Sequence, residues 1–225
     1  MGAAKMITTF RRPSGADYGR WTRSLLLALA AFATIWPFGV VNSVDRFYTT
    51  GIPDAEPAVG RLLVASKKLD SPYFRHSVVL LIKHNKQGTI GIVVNQPTVL
   101  SLSSMSPKLL HGDDTDALYY GGPVQHMLFS MLVGSDSKGT DRTYVLDHVY
   151  HVAGVRDIMS LIPKLGADDR VRVYAGYAGW GPGQLDNEIA RGGWHVAPGN
   201  PAVIFSTEPE KIWKRLIDEF GGYWL

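Results

Sequence analysis

Gly176-Tyr-Ala-Gly-Trp-Gly-Pro-Gly-Gln-Leu-Asp-Asn-Glu188 is the stretch whose reading decides the fold. Four glycines, one proline and two aromatics stand between the apolar alternation of Val171 and Val173 and a short polar helix. A loop needs so many glycines where its backbone must take positive φ or approach another backbone closely. Gly179 and Gly181 are therefore expected to resist replacement by β-branched residues. Tyr177 and Trp180 either plug a core or line a groove.

Outward from this stretch, apolar runs bounded by glycine and asparagine predict strands. They fall at about 60–65, 76–83, 88–95, 117–121, 127–133, 142–151, 170–176, 193–197 and 202–206. Lys86-Gln87-Gly88 suits a hairpin turn. Val155, Ile158, Met159 and Ile162 keep helical spacing until Pro163. Leu185 and Ile189 mark a short helix after the glycines. The last helix is the best signed. Thr207 with Glu210 forms a capping box, Pro209 fits the first turn, and Ile212, Trp213, Leu216, Ile217 and Phe220 make one stripe ending at Gly221.

Five blocks in order carry a family resemblance. They are Gly60-Arg-Leu-Leu-Val-Ala65 with Pro72-Tyr-Phe74 and Ser77-Val-Val79; His84-Asn85 with Gly88, Gly91 and Asn95-Gln-Pro97; Tyr120-Gly-Gly-Pro-Val124; Gly176-Tyr-Ala-Gly-Trp180 with Gly183-Gln-Leu185, Glu188 and Trp194; and Trp213. Over about residues 60–221 the chain resembles the YqgE/AlgH family of small bacterial proteins. The resemblance implies an α+β fold whose mixed, bifurcated sheet curls into a pseudo-barrel with a few flanking helices. It implies no settled biochemical role, the common label being transcriptional regulation. The chain departs from the family pattern at Lys67, usually proline, at Ser71, usually acidic with Asp70 here shifted by one, and at Lys83, usually acidic.

The 225 residues suffice for one good core, and 45% hydrophobic with 19% charged content reads as globular. The absence of cysteine excludes disulfides, thiol catalysis and zinc-thiolate sites. The net charge of +3 is concentrated at the start: residues 1–23 carry +4, leaving −1 for the rest. This charge, together with the absence of a helix-turn-helix pattern, disfavours direct nucleic-acid binding by the globular part.

Four segments follow: a basic tail at 1–23, an apolar segment at 24–41, a linker at 42–58 and a domain at 59–225. Leu25–Val41 is nearly all apolar, and at ~1.5 Å per residue spans ~25 Å, the short end of a membrane helix. Trp21 and Trp36 suit the interfaces, while Pro37 weakens the last turn. The favoured reading is an uncleaved anchor. A signal peptide cut near Val41-Asn42-Ser43 and a cytosolic leader are the alternatives. Arg11-Arg12 is a twin arginine, but Pro13-Ser14-Gly15 does not fit that signal. Charge asymmetry would keep the tail of an inserted helix in the cytoplasm and export the domain across the inner membrane. The family resemblance implies a cytoplasmic domain instead.

No motif calls for a cofactor or a metal. Gly179-Trp-Gly-Pro-Gly183 lacks the dinucleotide spacing, Pro182 removes a donor, and Asp186 and Glu188 would repel phosphate. Gly134-Ser-Asp-Ser-Lys-Gly139 is not a P-loop, because its lysine precedes the last glycine. His148 and His151, three apart on a strand, face opposite ways. Asp113-Asp114 reads as solvated, and no G-x-S-x-G elbow occurs. The favoured reading is a non-enzymatic binding or regulatory module for a protein partner. Its surface would comprise Gly121, Gly122, Pro123, Tyr177, Gly179, Gln184 and an exposed Trp180. The rival is an enzyme or small-ligand binder that brings His84, Asn85, Asn95 and Glu188 into one pocket. For His84 and Asn85 the plainer reading is turn closure.

Overall fold

The computed structural model describes residues 55–105, 117–136 and 144–221. The basic tail, Leu25–Val41, the linker as far as Asp54, and Asp113-Asp114 lie outside these residues. Among the described residues no helix is long and apolar enough to cross a membrane.

The centre of the sheet is β9 (Arg170–Trp180). Along one edge it pairs antiparallel with β6 (Val124–Gly134), from Gly134↔Arg170 to Phe129↔Ala175 and again at Val124↔Tyr177. Its other edge serves two strands in succession. β5 (Ala117–Tyr120) runs parallel at Tyr174 and Ala175, and β3 (Gly88–Val93) runs antiparallel from Ala178 to Trp180. Gly121 sits where the two meet. Its N–H donates to Ala175 O at 2.8 Å, and its carbonyl accepts from Val93 N at 2.9 Å.

The path continues from β3 through β2 (Val78–Asn85) and β1 (Leu62–Ala65) to β10 (Trp194–Ala197), each pair antiparallel. On the β6 side it runs through β8 (Val149–Ala153) to β7 (Tyr144–Leu146). β4 (Pro97–Ser101) adds to β5. The sheet is mostly antiparallel and is not closed: among the described residues β10 and β7, at the two ends of the path, do not pair.

Helices cover the sheet because the middle strands bury both faces. In β1, Leu62 and Val64 join a cluster with Leu80, Ile92 and Tyr174. That cluster is capped by α4 (Pro201–Ile204) and α5 (Pro209–Gly221) through Ile204, Ile212, Leu216 and Ile217. Leu63 and Ala65 point the other way, towards Val79, Leu81, Ala178 and Trp180, with α3 (Gln184–Ala190) adding Leu185. A third cluster puts Ile158 of α2 (Val155–Leu161) against Met131, Val133 and Val173. A short helix, α1 (Leu102–Met105), follows β4. Buried Arg172 has no carboxylate partner among the described residues. Its Nη1 donates to Ile204 O at 2.6 Å, its Nη2 to Ser206 O, and its guanidinium lies 4.6 Å from the Tyr119 ring centre. These bonds tie the end of α4 and the α4–α5 connection to the start of β9.

Several elements differ from the sequence reading. In place of the strand expected over 202–206, Pro201–Ile204 forms α4, because Asn200 caps it by accepting from Ala202 N and Pro201 opens it. The run 142–151 divides into the β7–β8 hairpin, turning at His148 with φ 63°. β4 is an addition. Its Val99 and Leu100 face solvent, so it carries no buried apolar run to announce it. At α5 the residue before Pro209 is Glu208, whose carbonyl accepts from Lys211 N and whose carboxylate reaches Lys211 and Arg215. The start therefore lies one place beyond the expected Thr207.

The glycine stretch is itself strand as far as Trp180. Positive φ falls at Gly176 and Gly183, not at Gly179 or Gly181. A Cβ on Gly122, whose φ is 147°, would meet the Tyr177 carbonyl carbon at 2.2 Å, and one on Gly176 would meet Gly122 O at 2.4 Å. Gly122→Ala is expected to cost about 2–4 kcal/mol through strain and overpacking. Gly181→Ala, whose Cβ would find only Gln184 Oε1 at 3.9 Å, should unfold like wild type. Urea denaturation of the two variants checks both outcomes.

Candidate functional site

Strand alternation decides which side chains of β9 are available. Ala178 and Trp180 point into the core shared with Leu63 and Val79, whereas Tyr177 is half-buried and Gly179 exposed. Trp180 is 5% exposed, so it is a core residue and not the exposed anchor expected from sequence. The reason is that β9 runs on to Trp180 in register with Thr89.

Around Trp180 the indoles are fixed by one carboxylate. Glu188 Oε2 accepts from Trp180 Nε1 at 3.0 Å and from Trp194 Nε1 at 2.8 Å. Glu188 Oε1 accepts from Gln184 Nε2 at 3.0 Å, and Gln184 Oε1 accepts from Gly181 N at 3.1 Å. Phe74 stacks on Trp180 with ring centres 5.9 Å apart and meets Trp194 edge-on at 5.5 Å. Glu188 and Gln184 face each other one turn apart on α3 because they are spaced i, i+4. The two indole bonds join α3 to the end of β9 and the start of β10, and the Gln184–Glu188 bond within α3 orients the carboxylate.

The other candidate polar residues also hold local structure. His84 Nδ1 lies 2.8 Å from Thr89 Oγ1, and Asn85 Oδ1 accepts from Gln87 N at 3.0 Å, so the two close the β2–β3 hairpin. Asn95 is buried, accepts from Val78 N at 2.8 Å and donates to His76 O at 2.9 Å. In the β2–β3 register Asn85 pairs with Gly88, while Val79 pairs with Val93. Asn95 thus lies at the far end of the hairpin, ~20 Å from His84 at ~3.3 Å per residue. His84, Thr89 and Trp180 form one row across β2, β3 and β9, a row that Asn95 does not join.

The two further histidines are separate. His148 Nδ1 sits 3.2 Å from the Asp136 carboxylate. His151 lies on β8, where burial pushes its imidazole down to about 4 and keeps it neutral near pH 7. Among the described residues no group of three or more His, Cys, Asp or Glu side chains is placed to hold a metal.

One feature escaped the sequence reading. Between Val124↔Tyr177 and Phe129↔Ala175, β6 holds four residues opposite Gly176 alone. This wide bulge throws Gln125, His126, Met127 and Leu128 out of the ladder, and Gln125 takes φ 49°. Met127 is 84% exposed and Leu128 is exposed beside it. The His126 ring stacks near Tyr120, whose phenol is pushed up by burial and then by neighbouring Tyr73. From sequence, Met127 and Leu128 continue the apolar run of a strand, and only the polar Gln125-His126 pair signals the interruption.

The fold and these sites define a small α+β domain, a mostly antiparallel open sheet with flanking helices. Residues 62–224 match the sequence model of the AlgH-like family, and the chain belongs to that family. A UPF0301 protein of Methylococcus capsulatus is 36% identical over 72% of this chain and 91% of its own length. One of Streptomyces coelicolor is 32% identical over 77% and 92%. The solution structure of the AlgH protein from Pseudomonas aeruginosa aligns with TM-score 0.58 at 26% identity, covering 76% of this chain and 93% of that one. The crystal structure of protein DIP2367 from Corynebacterium diphtheriae aligns with TM-score 0.63 at 27% identity, covering 73% and 88%.

The indole–carboxylate cluster makes a direct prediction about stability. Trp180→Ala should cost ~3–5 kcal/mol as a large-to-small core change. Glu188→Ala should cost about 2–4 kcal/mol by leaving two indole donors without their acceptor, and Glu188→Gln less, since its amide oxygen still accepts. Gln184→Ala, at an exposed position, should cost under about 1 kcal/mol. Chemical denaturation followed by tryptophan fluorescence ranks the four.

Proposed function

We propose that the domain is a non-enzymatic binding module that recognises a protein partner through the β6 bulge and the adjoining Pro123. The observation that carries this reading is the bulge itself. It exposes Met127 and Leu128 between two rungs of the β6–β9 ladder, Val124↔Tyr177 and Phe129↔Ala175, which fix both its ends. Bulges re-aim side chains next to functional sites, and an exposed methionine adapts its shape to a partner's apolar surface. The anchor thus moves from Trp180 to Met127 and Leu128; half-buried Pro123 and Tyr177 stay in the proposed surface, whereas Gly121 and Gly122 are buried at the strand junction and leave it.

The rival enzyme reading draws no support from the geometry. Asn85, Asn95 and Glu188 are engaged in hydrogen bonds that hold a turn, a strand end and two indoles, and His84 contacts Thr89. Any role in transcriptional regulation would be indirect and would pass through the partner. The apolar run Leu25–Val41 behind a basic tail supports a single-pass anchor in the inner membrane with the domain outside the cytoplasm, the cytoplasmic placement being the alternative.

Affinity capture compares wild type with the double variant Met127→Asp, Leu128→Asp. The variant should melt within a few degrees of wild type, because both side chains are exposed. It should lose the partner that wild type retains. Equal capture of the same partner by the folded variant would contradict the reading.

A further inference from the structure

On another part of the molecule the β1–β2 connection forms a polar cleft of about 260 Å³, lined by Ser66, Lys67, Lys68, Leu69, Asp70, Arg75 and His76. Lys67, Lys68 and Arg75 against Asp70 give its lining a formal charge of +2, on a chain whose residues 24–225 total −1. None of these three cations forms an ion pair with a carboxylate among the described residues, although Asp218, held below the usual carboxylate range first by Lys214 and in smaller part by Lys67, lies near the cleft. The surface lysines Lys211 and Lys214, by contrast, are paired with Glu208 and Asp218.

The cleft's backbone is held in advance. Ser66 N donates to Gly193 O at 2.9 Å, and Lys68 N donates to Ser66 Oγ at 3.2 Å. His76 takes φ 58°, a left-handed conformation that costs free energy for a non-glycine residue and gathers at binding sites. Two neighbours keep it there. Asn95 bridges His76 O and Val78 N, and the Trp213 ring lies 4.0 Å from the His76 ring. Trp213 is itself fixed by donating to Ala65 O at 2.7 Å. The principal hydrogen-bonding role of Asn95 is thus to shape this rim.

We propose that this cleft binds a phosphate group, as the free dianion or as a small phosphomonoester. The +2 lining matches a dianion better than a single carboxylate. Arg75 can offer a planar fork of donors, and the lysines add point charges. A volume of about 260 Å³ lies just below the usual ~300–1,000 Å³ of ligand pockets, which suits a small ligand. Residues 24–225 carry −1 in total, so the domain offers a nucleic-acid backbone no overall electrostatic attraction.

The test is calorimetric titration of the full chain with inorganic phosphate and with glycerol 3-phosphate, at constant ionic strength against chloride. Saturable binding is expected, with at least a tenfold loss of affinity in Lys68→Ala, Arg75→Ala and in their double variant. All of these should melt like wild type because both positions are exposed. Equal affinity for the two probes identifies the free phosphate group as what is read. Preference for glycerol 3-phosphate identifies a monoester whose carbon arm is also bound. Absence of saturation with both probes, or unchanged affinity in the folded double variant, overturns the proposal.

Discussion

The close passage of Gly121 and Gly122 across Gly176 and Tyr177 is the constraint on which the rest of the structure depends. There is no room for a Cβ at Gly122 or Gly176, so the two backbones meet without side chains between them. That contact lets β9 change partners along one edge, from β5 to β3, while β6 continues on the other. Gly121 fills the junction by donating to Ala175 and accepting from Val93. The same passage imposes the β6 bulge, because the chain leaving Pro123 must regain the ladder beyond Gly176. Fold and proposed recognition surface therefore have one cause.

Downstream of the crossing, β9 delivers Trp180 into the core, and Glu188 binds its indole together with that of Trp194. A half-buried carboxylate that satisfies two indole donors keeps α3 on the sheet. It makes a polar residue part of a packing unit. At the opposite end of the β2–β3 hairpin, Asn95 does comparable work for His76 and Val78. These are the residues that a sequence reader singles out as chemical. Their hydrogen bonds are spent on geometry.

Much of the fold was legible in the sequence. Val78–Leu81 and Leu62–Ala65 are continuous apolar runs, the signature of strands buried on both faces, and the stripe of α5 names its buried residues Ile212, Leu216 and Ile217. The glycine stretch gives the right reason, positive φ or close backbone approach, at Gly176 and Gly183 but not at Gly179 or Gly181. The close contacts fall on Gly122 and Gly176, because only tertiary structure shows which glycine faces another backbone. Trp180 illustrates the same limit: an aromatic among glycines reads equally as groove or core, and one strand residue more or less decides. The β6 bulge and the basic cleft were not legible. Each depends on register or on residues from turns that local periodicity does not constrain.

Amide hydrogen exchange resolved by residue tests the central claim most directly. The Val93 and Gly121 amides, bonded across the junction, should exchange only on global unfolding, whereas Gln125 to Leu128 should exchange orders of magnitude faster. If Val93 and Gly121 exchanged as fast as the bulge, the crossing would not be what holds the sheet together, and the account would fail.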